Sequence, residues 1–195
     1  KLDFENSKRM FHLFLTHFKG ENYIKSAYQK LAWIAFLEGE TEKKLIFFEK
    51  VILEGETSID EDKVALKDAE EKKISDPVLL KARLLYDGGY YDKALLELEE
   101  IESSHLFSKT KNTIEYWYRK GRILQKLDSP IIDVISPFIE ALNIEESTNS
   151  YYAPMSALQI AIEYEKIGEK QKAESYYNKC LSMKDFDYER GIHQK

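Results

Sequence analysis

Three stretches of this chain fall into register when each is aligned on a glycine: YQKLAWIAFLEGETEKKLIFFEKVI from Tyr28, VLLKARLLYDGGYYDKALLELEEI from Val78, and ALQIAIEYEKIGEKQKAESYYNKCL from Ala157. In each, an apolar periodic run reaches Gly39, Gly89 or Gly168, and a second periodic run begins a few residues later. Ala32, Ala82 and Ala161 stand seven positions before the glycine, and Phe48, Leu98 and Tyr177 stand nine after it. Ala94 and Ala173 stand five after it, where the first copy has Lys44. Apolar residues three and four apart give each run one buried face. Small residues at fixed offsets let two antiparallel helices approach closely, and glycine ends the first helix in a left-handed conformation that other residues tolerate poorly. The pattern predicts a helix–turn–helix unit, repeated, and so an all-α fold.

At these positions the sequence resembles the tetratricopeptide repeat family, whose unit of ~34 residues alternates large, small and aromatic positions around such a turn. The fullest match runs from Pro154 to Asp185, with Ala157, Ile160, Ala161, Tyr164, Gly168, Ala173, Tyr177 and Cys180 in order. A weaker copy, IEYWYRKGRILQKLDSPIIDVISPFIEAL, carries Trp117, Gly121, Leu124 and Leu127, then Phe138 and Ala141. It has Asp128 in place of the turn glycine and one extra residue in the turn. The resemblance implies a right-handed superhelical solenoid of about four antiparallel helix pairs.

On that frame the whole chain, 1–195, reads as one domain. Residues 1–20 form a half repeat, one amphipathic helix ending at Gly20, and 21–53, 75–102, 111–145 and 154–185 are repeats. Residues 54–74 form an acidic connector helix whose Val64, Leu66 and Ala69 offer a narrow stripe for packing across the solenoid edge; it reads as a solvated connector, with an acidic docking element as the alternative, and 186–195 begin a capping helix. The half-repeat start and the short end suggest contact with flanking regions of a longer chain. Asp76-Pro77 and Ser129-Pro130 each place a capping side chain before a proline in the first turn, and Pro154 takes a first-turn place. Pro137, inside a predicted helix, should kink it or shift its start.

The DGGYYDKA turn is glycine-rich but lacks the Gly-x-x-x-x-Gly-Lys-Ser/Thr pattern of a phosphate loop, and Asp87 would repel an anion. Of the four histidines, His12 and His17 are five apart and do not share a helix face. With Cys180 as the single cysteine, neither a disulfide nor a structural zinc site is expected. The carboxylates are spread over solvent-facing positions, and no serine sits in a nucleophile elbow. No cofactor, metal or catalytic activity is predicted. A net charge of −6 argues against a nucleic-acid partner. The longest strictly apolar run, LAWIAFL at 31–37, is too short to span a bilayer.

What remains is binding. The resemblance implies a concave groove, lined by the first helix of each pair, that takes a protein or peptide segment. Carried onto this sequence, the groove positions are Gln29, Trp33 and Phe36; Leu79, Arg83 and Tyr86; Tyr118, Arg122 and Gln125; and Leu158, Ile162 and Glu165. Arg83 and Arg122 share one repeat position, with Tyr86 and Tyr118 beside them, a combination typical of interface hot spots and suited to carboxylates. Trp33 adds an apolar anchor, unless the N-terminal helix or the 54–75 connector covers it. Either arginine has an acidic neighbour to pair with, Asp87 or Glu115. The lysines and asparagines with which the family clamps a terminal carboxylate are absent. The expected function is therefore a non-catalytic protein-interaction module with an acidic partner segment. The alternative is a scaffold region packed against other parts of a longer polypeptide.

Overall fold

The computed structural model describes residues 2–100, 110–144, 150–186 and 189–194, and every regular element among them is helical. The ends of the second and third expected repeats, at 101–102 and 145, lie outside the described residues, as do 187, 188 and 195 of the terminal stretch. Contacts divide the chain into two compact units, Lys1–Pro77 and Val78–Lys195.

The first unit holds α1 (Phe4–His17), α2 (Ile24–Leu37), α3 (Thr41–Leu53) and α4 (Asp60–Glu70). Asp3 caps α1 by accepting the Asn6 amide at 3.1 Å. The helix ends at His17 rather than Gly20, with Phe18 already extended. Central α2 packs on α1, α3 and α4. Tyr28, Leu31 and Ala32 of α2 meet Phe48 and Val51 of α3 and Ala65 and Ala69 of α4. Each fully buried Leu, Val or Phe among them contributes about 1.5–3 kcal/mol. The inward stripe of α4 is Asp62, Ala65 and Ala69, not Val64, Leu66 and Ala69. Residues two apart cannot share a helix face, whereas steps of three and four can. So α4 is packed against α2 and α3 rather than a solvated link.

The second unit holds α5 (Pro77–Asp87), α6 (Tyr91–Glu99), α7 (Thr110–Lys126), α8 (Ile131–Asn143), α9 (Tyr152–Lys166), α10 (Lys170–Ser182) and the short α11 (Glu189–His193). Within it α7 packs on α8, α8 on α9 and α9 on α10. Phe138, Ile114, Ile160 and Ala157 are wholly buried there, and Phe186 and Ile192 join the same cluster from the end of the chain. Pro77 opens α5 and Pro154 lies in the first turn of α9. Pro130 is the cap residue of α8 rather than its first helical residue, and its carbonyl accepts the Asp133 and Val134 amides. Helix α8 runs on through Pro137, which is buried.

The three aligned glycines end their helices in one way. Gly39, Gly89 and Gly168 have φ of 78°, 79° and 79°. Each donates its amide to the carbonyl three residues back, and the next residue donates to the carbonyl five back: Glu40 to Ala35, Tyr90 to Leu85, Glu169 to Tyr164. That is the Schellman closure, which satisfies carbonyls a helix end leaves open. In the α7–α8 turn Asp128 takes the left-handed position at φ 50°, and Ser129 donates to Leu124. Gly121 serves closeness instead: a Cβ there would stand 2.7 Å from the Phe138 ring of α8.

Candidate functional site

Within the second unit the first helices of successive pairs are stitched side by side through the expected groove positions. Arg122 of α7 donates from Nη2 to the Tyr86 hydroxyl of α5 at 2.8 Å, and from Nη1 to Tyr118 at 3.1 Å. Gln125, one turn further along α7, donates to Gln159 at 3.0 Å and Glu163 at 2.8 Å, both on α9. Arg83 reaches Asp87 one turn along α5, at 3.8 Å.

These side chains border a cavity of about 150 Å³, lined chiefly by Arg83, Tyr86, Asp87, Tyr118, Arg119 and Arg122, with Tyr151 at its edge. Three guanidiniums and one carboxylate face it. The Arg122 guanidinium lies 5.5 Å from the Tyr86 ring centroid and 6.0 Å from that of Tyr118, within cation–π range. Burial opposes its charge, but the Tyr118 and Tyr86 oxygens outweigh that and raise its pKa. Burial also pushes the Tyr118 hydroxyl up, against the pull of Arg122. Arg122 Nε is buried and has no acceptor among the described residues.

The acidic neighbours are divided differently from the sequence expectation. Glu115 pairs with Arg119, on the same helix one turn away, through both Nε and Nη2. The pair is closed off, with side-chain exposures of 9% and 2%. Burial raises the Glu115 pKa, but the Arg119 charge prevails and holds it below the ordinary value, with Arg83 adding to the effect. Burial likewise opposes the Arg119 charge, and Glu115 more than restores it. The Tyr152 ring is tilted against that of Tyr151, with centroids 4.5 Å apart, and its centroid stands 5.3 Å from that of Tyr118. Its hydroxyl is pushed well up by burial and then by Glu115. Arg119, Tyr151 and Tyr152 were not among the expected site residues. The four-residue spacing of Glu115 and Arg119 was a signal for the pair, but nothing in the sequence placed Tyr151 at the cavity.

The other expected positions divide by burial. Leu79, Tyr118 and Leu158 are interior residues, at most 6% exposed. Ile162 is half-buried against the core of the second unit, and Glu165 accepts the Tyr177 hydroxyl at 2.8 Å. In the first unit Gln29 is buried and donates to Asp68 at 2.9 Å. Trp33 is buried too, with the Lys30 ammonium 3.7 Å from its ring. Phe36 is half-buried, with Lys44 5.8 Å from its ring. The second unit thus brings Arg83, Tyr86, Tyr118 and Arg122 together, with Gln125 next along α7, and the first unit builds Gln29 and Trp33 into its own interior.

Antiparallel helix pairs, closed by one turn geometry and packed pair upon pair in the second unit, define a helical-repeat protein. Residues 156–187 match the family model described as tetratricopeptide repeat. Together with the all-helical packing, that match supports a tetratricopeptide-type helical repeat protein. No curated protein and no solved structure matches the chain. Repeats of this type are generally non-catalytic interaction modules, so the match indicates a protein-interaction module in general terms. No helix among the described residues is long and apolar enough to cross a membrane.

Proposed function

We propose that the chain is a non-catalytic module that binds an acidic protein or peptide segment along a concave groove lined by the first helices of its pairs. In the second unit those helices are α5, α7 and α9, and the contact positions are Arg83, Tyr86, Arg122 and Gln125, with Tyr118 and Leu79 beneath them. The observation that supports this reading is the cavity in which Arg122 and Arg83 stand among tyrosines, on a chain of net charge −6. Clustered arginine and tyrosine is what interface anchors are made of. A surplus of positive charge at one spot of an acidic protein selects acidic partners and speeds their encounter. The test is capture of partners from the native source with the full chain as bait, against Arg83→Glu/Arg122→Glu. Loss of a partner in the double variant is expected; retention of every partner would refute the groove reading.

A second reading has its own support. Ile132 and Ile167 are 75% and 53% exposed and border an apolar cleft of about 370 Å³ with Ile131, Ile135, Ile139 and Tyr164. Exposed apolar clefts of that kind mark contact surfaces, which suits a scaffold region packed against other parts of a longer polypeptide. Deleting residues 1–20 separates the readings. A binding module keeps its partner, and a scaffold loses cooperative unfolding.

A further inference from the structure

The charges around the cavity do not cancel evenly. Arg119 is matched by Glu115 in a buried pair. Arg83 has Asp87 at 3.8 Å. Among the described residues, the hydrogen-bond partners of Arg122 are the hydroxyls of Tyr86 and Tyr118. Among the described residues, the three guanidiniums of the lining meet two carboxylates, Asp87 and Glu115, which leaves one surplus positive charge centred on Arg122, while Tyr86, Tyr118, Tyr151, Ala82 and Ile123 complete the walls.

One surplus charge selects a monoanion. A dianion such as phosphate would arrive with an excess negative charge beside Asp87 and the tyrosine oxygens, and in a low-dielectric site that excess is unfavourable. A carboxylate brings a single charge and a planar pair of oxygens that fits a guanidinium edge. The flanking Tyr86 and Tyr118 faces suit the methylene stem behind it.

From this we infer that the Arg83–Tyr86–Tyr118–Arg122 cavity is a receptor for one side-chain carboxylate, an Asp or Glu of the bound segment, held by Arg122 with Arg83 beside it. The inference rests on the interaction-module reading and names the group its central pocket would take.

The test uses the full chain labelled with 15N-arginine and follows the Nε–H resonances during titration. The probes are N-acetyl-glutamate α-methylamide, its glutamine counterpart, N-acetylglycine as a terminal carboxylate, and inorganic phosphate. The capped glutamate should shift the Arg122 resonance saturably and bind roughly tenfold or more tightly than the capped glutamine, since a charged acceptor is replaced by a neutral one. In Arg122→Gln, read at Arg83, that saturable shift should vanish. Arg122→Lys, which keeps the charge and guards against a folding defect, should weaken it several-fold, because an ammonium lacks the planar fork. Equal shifts with capped glutamine, or full affinity in Arg122→Lys, would overturn the assignment. Tighter binding of phosphate would replace it with a dianion site, and tighter binding of N-acetylglycine with a terminal-carboxylate site. Partner capture is read independently. A pocket that binds glutamate in a chain whose partners survive Arg83→Glu/Arg122→Glu sinks the groove reading alone.

Discussion

Both units bury charged side chains, and they use them in opposite ways. In the first unit Asp62, wholly buried, accepts the amides of Tyr23 at 2.6 Å and Ser26 at 2.9 Å, closing the open start of α2. Lys25, also buried, donates to the carbonyls of Val51 at 2.7 Å and Ile52 at 3.2 Å, closing the open end of α3. Each charge sits where a helix terminus presents the opposite partial charge. In the second unit Glu115 and Arg119 pair with each other, and Arg122 close by is bonded to the hydroxyls of Tyr86 and Tyr118. Charges that close helix ends are spent on structure. The Arg122 charge instead lines a cavity, with the Asp87 carboxylate in the same wall.

The largest expected effect breaks the second arrangement at its centre. Replacing Glu115 with Gln leaves Arg119 buried without its counter-charge and should cost about 3–5 kcal/mol, read from denaturant unfolding. Asp62→Ala leaves two amides open and should cost about 1–2 kcal/mol, the scale of a lost helix cap. Near-equal losses would mean that the two units bury charge on similar terms. The pH dependence sharpens the contrast. The Glu115 pKa is held down in the folded chain, so its contribution is fully present above the unfolded carboxylate value and is lost as pH falls through the depressed one. Below about pH 4 the wild type should lose stability faster than Glu115→Gln, and the two curves should converge. Parallel curves would show that Glu115 takes no part in the acid limb.

Gly121→Ala comes next. The added Cβ would meet the Phe138 ring at 2.7 Å, and Phe138 is wholly buried. The overpacking should cost about 1–3 kcal/mol. A neutral result would show that α7 and α8 can separate slightly without loss, and that the closeness of this pair is not required.

The helix pairs were legible because their signals are local. A left-handed turn demands glycine, and a small residue seven positions earlier marks the face where helices meet. The stripe expected from Val64, Leu66 and Ala69 is not the inward face of α4, which is Asp62, Ala65 and Ala69. A wholly buried carboxylate has no hydrophobic signature, and its partners, the Tyr23 and Ser26 amides, lie nearly forty positions away. The site was half legible for the same reason. Repeat register brought Arg83 and Arg122 to one place. The pairing of Glu115 with Arg119, with Arg83 also helping to hold the Glu115 pKa down, depends on side-chain packing that repeat register does not specify. The burial of Gln29 and Trp33 depends on what packs over α2, and a helix wheel does not show that.

The smallest predicted effects also make the cleanest comparison, because they place one turn against another. At Gly168 a Cβ meets nothing within 4 Å, so Gly168→Ala is a measure of left-handed backbone strain alone. It should cost about 1 kcal/mol. Asp128 already carries that strain at φ 50° in the corresponding turn. Aspartate tolerates the conformation better than alanine but less well than glycine, so Asp128→Gly should be stabilising by a fraction of that amount, about 0.5 kcal/mol, after the added freedom of the unfolded chain is counted. The two substitutions run in opposite directions through one backbone geometry, so they should move the unfolding midpoint in opposite senses without changing its denaturant slope. A destabilising Asp128→Gly would mean that the aspartate side chain contributes more to the α7–α8 turn than its backbone conformation costs, and that the turn is specialised rather than a worn copy of the others.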